Sequence, residues 1–329
     1  DATLMLVLTD ADGIKNVRPI ELVLDATEDE APEVDVRVAG ISTAVTPNAR
    51  MPLTGRIRDD FGVAEAWAQT LADGEQPASH PLGGAMAMPL ELPVDEGLEV
   101  ESLGLAPGRT LEIAVMARDN FALGEEANEA TGERLRLTVV TPDELRSMLE
   151  SRELNLRRRF EEIVADVVAS RDTLVDVADT VFAADAARDE AAGEANDADD
   201  DAGDVAVGRS EVSRLRVQRA RQNAQKNASE TAGVAEAFDA IRQELVNNRV
   251  DTTELLDRLD AGIVAPLRHV AEVDFPRLIS ELEAVDERWD DAANRPAAVD
   301  RTLVAYEVVL ADMNAVLERM LELETFNEV

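Results

Sequence analysis

Two long apolar stripes in the second half of the chain constrain its fold more than any other feature. Large apolar side chains recur there at steps of three and four residues, which is the heptad spacing of packed helices. The first stripe contains Leu156, Phe160, Ile163, Val167 and Leu174, with the polar Ser170 at the position between the last two. The second contains Leu303, Tyr306, Leu310, Met313 and Leu317. A helix with such a stripe must hide it from water, so the stripes are predicted to pack against each other or against a partner.

The helical half is predicted to begin at residue 142. Thr141-Pro-Asp-Glu144 combines an N-cap residue with Pro and acidic residues in the first turn. One long helix is expected over 142–184, followed by an acidic flexible linker over 185–208 that has almost no large apolar residues. Helices resume over 209–329, where Pro266 and Pro276 should kink or interrupt them. The long stripes and a chain reversal between them predict an elongated helical bundle or coiled coil.

The first 141 residues show the pattern of a β structure. Short apolar runs alternate with clusters of Pro, Gly and Asp, and Val34, Val36 and Val38 alternate with polar residues. Such spacing favours an immunoglobulin-like β-sandwich, predicted here over 30–141. The predicted fold class is therefore multidomain β plus α, with a β-sandwich region before a long helical region.

An internal repeat refines the boundary at the N-terminal side. The segment Leu4–Gly13 is similar to Leu111–Asn120, and each is an apolar strand that enters an acidic turn before a second strand. Residues 1–29 are therefore predicted to be the closing hairpin of another sandwich whose remaining strands lie outside this sequence. Because an isolated hairpin is unstable in water, it is expected to pack against 30–141 or against that missing part.

Charge and composition exclude several classes of function. The net charge of -37 disfavours binding to nucleic acid or to anionic lipid, both of which require clustered cationic side chains. The chain contains no Cys, which excludes disulfides and thiolate chemistry. Phosphate-binding loops, nucleophile elbows and the His-Glu-x-x-His metal motif are also absent from the sequence. No catalytic residue and no cofactor-binding residue is predicted.

Acidic turns at the ends of predicted strands are the weak candidates for a metal site. Carboxylate oxygens suit Ca²⁺, but tight turns also favour Asp beside Gly. The calcium candidates are Asp10, Asp12, Asp59, Asp60 and Asp119. A shared cation site is expected only if these turns come together in the fold. His80 and His269 are the two histidines, and neither has the sequence neighbours of a ligand set, so no metal or catalytic role is expected of either.

Several motifs along the chain resemble a group of large, uncharacterised envelope proteins of planctomycete bacteria. They are Asp10-Ala-Asp-Gly-Ile14, Arg18-Pro-Ile20, Glu30-Ala-Pro32, Gly40-Ile-Ser-Thr-Ala-Val-Thr-Pro47, Asp59-Asp-Phe-Gly-Val63, Thr141-Pro-Asp-Glu-Leu145, Arg152-Glu-Leu-Asn-Leu-Arg-Arg-Arg-Phe160, Asn247-Asn-Arg-Val-Asp251, Asp274-Phe-Pro276 and Met320-Leu-Glu-Leu-Glu-Thr-Phe-Asn-Glu328. The resemblance covers essentially the whole chain. It implies membrane-anchored proteins with sandwich repeats and a long coiled-coil tail, and it brings no catalytic residues.

The sequence thus predicts a non-enzymatic structural or interaction protein of the cell envelope. Its partner would be another protein or a second copy, engaged through the helical stripes. It would be extracytoplasmic and attached by a transmembrane segment outside this sequence. Two alternatives stay open: a calcium-dependent adhesion or binding module that uses the acidic turns, and a non-catalytic part of a larger enzyme.

Overall fold

The computed structural model describes residues 2–25, 28–73, 76–83, 88–121, 127–193 and 200–326. It is a β plus α protein, which confirms that part of the predicted fold class. The chain forms two compact units. The β unit comprises Asp1–Ala39, Met51–Glu99 and Gly108–Val139. The helical unit comprises Gly40–Arg50, Val100–Pro107 and Val140–Val329.

The strands follow each other along the first part of the chain. In order they are β1 (Ala2–Leu6), β2 (Ile20–Leu24), β3 (Glu33–Val38), β4 (Ala44–Val45), β5 (Arg50–Arg58), β6 (Val63–Ala72), β7 (Ala78–Pro81), β8 (Glu91–Glu99), β9 (Thr110–Asp119), β10 (Glu129–Thr131) and β11 (Leu135–Val139). The short strand β4 lies in the helical unit. Within the β unit, β1 pairs with β2, one sheet has the order β3-β5-β8, and another contains β11-β9-β6-β7 with β10 also paired to β9.

Alternating burial along the strands of the β unit produces its core. On β5, Met51, Leu53 and Ile57 are almost completely buried, while Arg56 on the same strand is exposed. This period of two is what the alternating apolar residues predict for a strand with one covered face. The immunoglobulin-like arrangement of these sheets stays a prediction.

The β1–β2 hairpin shows the same register as its counterpart in the internal repeat. Leu4 pairs with Leu22, and Leu111, which is equivalent to Leu4 in the repeat, pairs with Leu137 on β11. All residues of β1 and β2 are exposed, whereas Leu111 is fully buried. The hairpin expected from the repeat is present, but the expected packing of its apolar side chains against 30–141 is not seen in the described part of the chain.

The helical unit contains two very long helices and several shorter ones. They are α1 (Pro142–Gly193), α2 (Asp200–Asn247), α3 (Thr253–Leu259), α4 (Ala265–His269), α5 (Phe275–Glu287) and α6 (Arg295–Phe326), with π-helical turns at Asp260–Val264 and Val270–Asp274 and a 3₁₀ turn at Val100–Leu103. Thr141 and Glu144 form a capping box at the start of α1. Thr141 N donates to Glu144 Oε2 at 2.8 Å, and Glu144 N donates to Thr141 Oγ1 at 3.2 Å.

The predicted linker over 185–208 requires a correction. Helix α1 continues to Gly193 and α2 begins at Asp200, so 185–193 and 200–208 are helical. Residues 194–199 of the predicted linker lie outside the described residues. These segments are rich in Ala, the residue with the highest intrinsic helix propensity, and this preference acts even without large apolar side chains.

Residues 40–50 are held to the helices by buried polar contacts. The Glu244 carboxylate is only 3% exposed and accepts hydrogen bonds from Ser42 Oγ at 2.8 Å and from Arg152 Nη1 at 2.6 Å. Thr46 N donates to Asn248 Oδ1, and Thr46 Oγ1 donates to the Asn248 carbonyl, both at 2.7 Å. Because these groups satisfy each other away from water, they fix the loop against α1 and the end of α2.

The two apolar stripes meet inside one core. Helix α1 packs against α2 and α6, and α5 packs against the same two helices. Ser170 Oγ lies 2.9 Å from Tyr306 Oη across the buried α1–α6 contact. The fully buried stripe residues are Phe160, Ile163, Val167, Leu174, Tyr306, Leu310 and Met313, and Leu156, Leu303 and Leu317 are partly buried against them. The stripes therefore cover each other within a single chain.

Truncation of the stripe should destabilise the helical unit strongly. Replacing Phe160→Ala leaves a cavity in the core and is expected to lower the free energy of unfolding by about 3–5 kcal/mol, measured by urea denaturation. Val304→Ala on α6 is the matched control because Val304 is 61% exposed, and it should change stability by less than about 0.5 kcal/mol. Equal losses in the two variants would contradict burial of the stripe.

Candidate cation site

Asp59 directly follows β5 and begins a turn that its own carboxylate stabilises. One oxygen, Oδ2, accepts hydrogen bonds from Phe61 N at 3.0 Å and Gly62 N at 2.6 Å. Gly62 has a φ of 118°, a backbone conformation that side-chain-bearing residues rarely adopt. The turn therefore holds the Asp59 side chain inside the β unit, where the residue is 8% exposed.

Asp119 has the same arrangement at the end of β9. Its Oδ1 accepts hydrogen bonds from Phe121 N and Asn128 N, both at 3.0 Å. The residue is 1% exposed, so its carboxylate is almost completely removed from water. In both aspartates one carboxylate oxygen accepts two backbone hydrogen bonds from a loop, and the second carboxylate oxygen accepts neither of them.

Three buried carboxylate oxygens in this region lack a hydrogen-bond partner among the described residues. They are Asp59 Oδ1, Asp119 Oδ2 and Asp29 Oδ1. A buried carboxylate oxygen without a hydrogen-bond donor destabilises the fold, because it has lost its hydrogen bonds to water and has not replaced them. Such groups are rare in folded proteins, so three of them in one region require a physical explanation.

The strand register explains why these three aspartates come together. Glu33 at the start of β3 pairs with Arg58, which places the connector containing Asp29 near the turn at Asp59. Val63 at the start of β6 pairs with Asp119, which brings the end of β9 to the other side of the same turn. One end of the β unit therefore collects acidic side chains from three separate segments.

The electrostatic environment of Asp29 reflects the neighbouring acidic side chains. Partial burial raises the pKa of the Asp29 carboxyl, and the negative charges of Asp119, Asp60 and Asp59 raise that pKa further. The side chain of Asp60 also lies within hydrogen-bonding reach of Asp29. We refer to Asp29, Asp59, Asp60 and Asp119 as the acidic cluster.

The chemistry of the acidic cluster suits a hard divalent cation. Ca²⁺ takes six to eight oxygen ligands from carboxylates, carbonyls and water, in flexible geometry. The four residues of the cluster offer carboxylate oxygens and neither imidazole nor thiolate, which favours Ca²⁺ over transition metals. Backbone hydrogen bonds already hold two of the carboxylates in place, so part of the ordering needed for binding is complete before an ion arrives.

The predicted calcium candidates divide into two groups in the structure. Asp59, Asp60 and Asp119 all act electrostatically on Asp29, but among the described residues no three of these carboxylates bring oxygens within 4.8 Å of one another. Asp10 and Asp12 instead lie in the exposed turn between β1 and β2. Asp10 Oδ1 accepts hydrogen bonds from Asp12 N and Ile14 N, both at 2.9 Å, as in an ordinary Asp-containing turn. The structure therefore gives these two residues a turn role.

Asp29 was missed by the sequence reasoning. It belongs to Glu28-Asp-Glu30, a run that resembles any polar connector in an acidic protein. Asp29 reaches the acidic cluster because β3 pairs with β5, and the spacing of residues along the sequence does not reveal this pairing.

Comparison with known proteins identifies no relative. No family model matches the chain, and no curated protein and no solved structure matches it. The resemblance to planctomycete envelope proteins therefore stays a prediction. Within the described ranges, none of the helices has an apolar stretch that would cross a lipid bilayer.

Neutralising one member of the acidic cluster should stabilise the cation-free protein. In the presence of a chelator, Asp29→Asn removes one negative charge from four that repel each other, so the melting temperature is expected to rise. Asp35→Asn serves as the control because Asp35 is an exposed aspartate on β3. A melting temperature that falls, or that rises equally in the control, would argue against mutual repulsion in the cluster.

Proposed function

We propose that this chain is a non-enzymatic structural and interaction protein of the cell envelope, in which Ca²⁺ locks the β unit. The observation that carries the proposal is the set of three buried, unpartnered carboxylate oxygens in the acidic cluster. The proposal joins the scaffold and calcium hypotheses of the sequence, because the site lies in turns that hold strands together. A cation at strand ends would rigidify a spacer domain without performing a reaction.

The helical unit supports the scaffold part of the proposal. Helices α1 and α2 have 52 and 48 residues, which at ~1.5 Å per residue corresponds to rods of roughly 70–80 Å. The apolar stripes of α1 and α6 are covered within the chain, so the long helices can span a distance without a second subunit. A partner would then use other surfaces, and the stripes would serve to keep the rods straight and associated.

The expected affinity of the acidic cluster supports an extracytoplasmic location. Extracellular calcium modules bind with dissociation constants of about 10⁻⁴–10⁻³ M, which matches calcium concentrations outside the cytoplasm. The acidic cluster is open to water at Asp60, an exposed residue, and such an open site fits this weak range. We therefore retain the extracytoplasmic placement proposed from the sequence.

Calcium should stabilise the β unit through the acidic cluster. A free Ca²⁺ concentration 100 times the dissociation constant would raise the free energy of unfolding by about 2.7 kcal/mol, and the melting temperature would rise accordingly. In Asp119→Asn and Asp59→Asn this increase should disappear, because the Asn side chain still accepts the loop hydrogen bonds but lacks the charge. Differential scanning calorimetry with and without chelator measures the effect.

The control variant for this experiment is Asp10→Asn, in the exposed hairpin turn, which should retain the full response to calcium. Asp29→Asn provides a second diagnostic, since it should raise stability in chelator and yet reduce the calcium response. Only a calcium-binding site predicts that one substitution raises stability in chelator and lowers the stabilisation by calcium. A wild-type melting temperature that is the same in millimolar calcium and in chelator would refute the calcium part of the proposal.

Pairing of the stripes within one chain also has a measurable consequence. Unfolding of the helical unit should be unimolecular, so its melting temperature should not change between about 1 and 100 μM protein. If the stripes instead joined two chains, dilution would lower the melting temperature. Circular dichroism at 222 nm across this concentration range distinguishes the two cases.

A further inference from the structure

The helical unit contains an open cavity that the proposed function does not use. Its volume is about 1310 Å³, and it lies beside α3, α4 and α6. Both charged and apolar residues line it, among them Leu255, Arg258, His269, Asp312 and Arg319. It is large enough for a small ligand by the usual standard of binding pockets.

Two prolines shape the chain beside this cavity. The sequence predicts that Pro266 and Pro276 kink or interrupt a helix, and a π-helical turn does interrupt the regular α-helix just before each of them. Ala265 N donates to the Asp260 carbonyl, and Phe275 N donates to the Val270 carbonyl, both five residues back. The wider turn makes room for a proline ring that would clash with the carbonyl of a regular α-helix. The prolines therefore widen the helix and do not break it.

The second π turn brings two metal-ligand side chains together. His269 and Asp274 are five residues apart, and hydrogen bonding between residues five apart places them on one side of the turn. His269 Nε2 lies 3.8 Å from Asp274 Oδ1. Asp312 of α6 supplies a third group, and the ligand atoms of His269, Asp274 and Asp312 all lie within 4.8 Å of one another.

Asp274 provides independent evidence that a ligand belongs at this position. It is 6% exposed, and its Oδ2 is buried with no hydrogen-bond partner among the described residues. The Asp312 carboxylate lies beside it, in the same group of ligand atoms within 4.8 Å of one another. Two carboxylates in contact inside a protein require a cation or a shared proton to offset their repulsion.

We propose that His269, Asp274 and Asp312 bind a divalent transition metal, with Zn²⁺ as the best fit. One imidazole with two carboxylates is a ligand set that suits Zn²⁺ and related ions, whereas Ca²⁺ prefers oxygen alone. Zinc bonds of about 2.0–2.2 Å in tetrahedral geometry place ligand atoms roughly 3.3–3.6 Å apart, so the three side chains, whose ligand atoms lie within 4.8 Å of one another, would draw closer on binding. The His269 side chain is 58% exposed, so it is free to make this movement.

Three protein ligands leave one position of a tetrahedral zinc ion open. His269 and Asp312 both line the cavity, so the open position would be accessible from it. Arg319 also lines the cavity, and its positive charge would favour an anionic ligand on the metal. This site is separate from the acidic cluster in its residues, its unit and its ligand chemistry, so either proposal can fail without the other.

Titration of the full chain with Zn²⁺ tests the site, with 1 mM Ca²⁺ present throughout to occupy the acidic cluster. Isothermal titration calorimetry should show one zinc site, and His269→Ala and Asp312→Asn should each weaken it by at least about tenfold. His80→Ala is the matched control, because His80 and His269 are the two histidines of the chain. Unchanged zinc affinity in His269→Ala, or an equal loss in His80→Ala, would overturn the proposal.

A measurement on the wild-type protein tests the site without replacing any of the proposed ligands. With ¹⁵N-labelled histidine, the Nε2 resonance of His269 should shift on addition of one equivalent of Zn²⁺, while that of His80 stays in place. The spectrum of His80→Ala assigns the two signals. If neither signal shifts, or if only the His80 signal does, His269 is not a ligand and the site is wrong.

Discussion

Burial of the apolar stripes of α1 and α6 is the interaction on which the helical unit depends. A chain with a net charge of -37 repels itself, and this repulsion opposes every compact state. Apolar burial stabilises by roughly 25 cal/mol per Å² whatever the charge of the surface. Phe160 and Tyr306 are fully buried in this core, and the hydroxyl groups of Ser170 and Tyr306 satisfy each other by a hydrogen bond within it. The acidic residues lie mostly at the surface, and a few of them occupy buried positions.

The acidic cluster and the His269 site share one physical feature. In each, a carboxylate oxygen is withdrawn from water and receives no hydrogen bond among the described residues, as at Asp119 Oδ2 and Asp274 Oδ2. In an acidic protein most carboxylates are exposed to solvent and do not indicate a binding site. The buried, unpartnered ones are different because the fold has placed them where only a cation or a proton can balance them. This distinction separates the proposed sites from the many acidic residues elsewhere.

The parts of the fold that the sequence predicted correctly are those with a local signal. The stripe around Phe160 is visible because helical periodicity is a property of neighbouring residues, and the capping box at Thr141 is visible for the same reason. The prediction of a flexible linker over 185–208 was wrong because the helix propensity of Ala acts there even without large apolar residues. Local propensity was sufficient to extend both helices into that segment.

Neither candidate site was predictable in full, because each depends on geometry that spacing does not report. Asp29 reaches the acidic cluster through strand pairing between distant segments. His269 and Asp274 face different directions on a regular α-helix, where residues four apart are the neighbours, and they meet only in a π turn. That turn is equivalent to an α-helical turn carrying one surplus residue. Deletion of one residue within that turn would therefore restore a regular α-helix and move His269 and Asp274 to different sides of it.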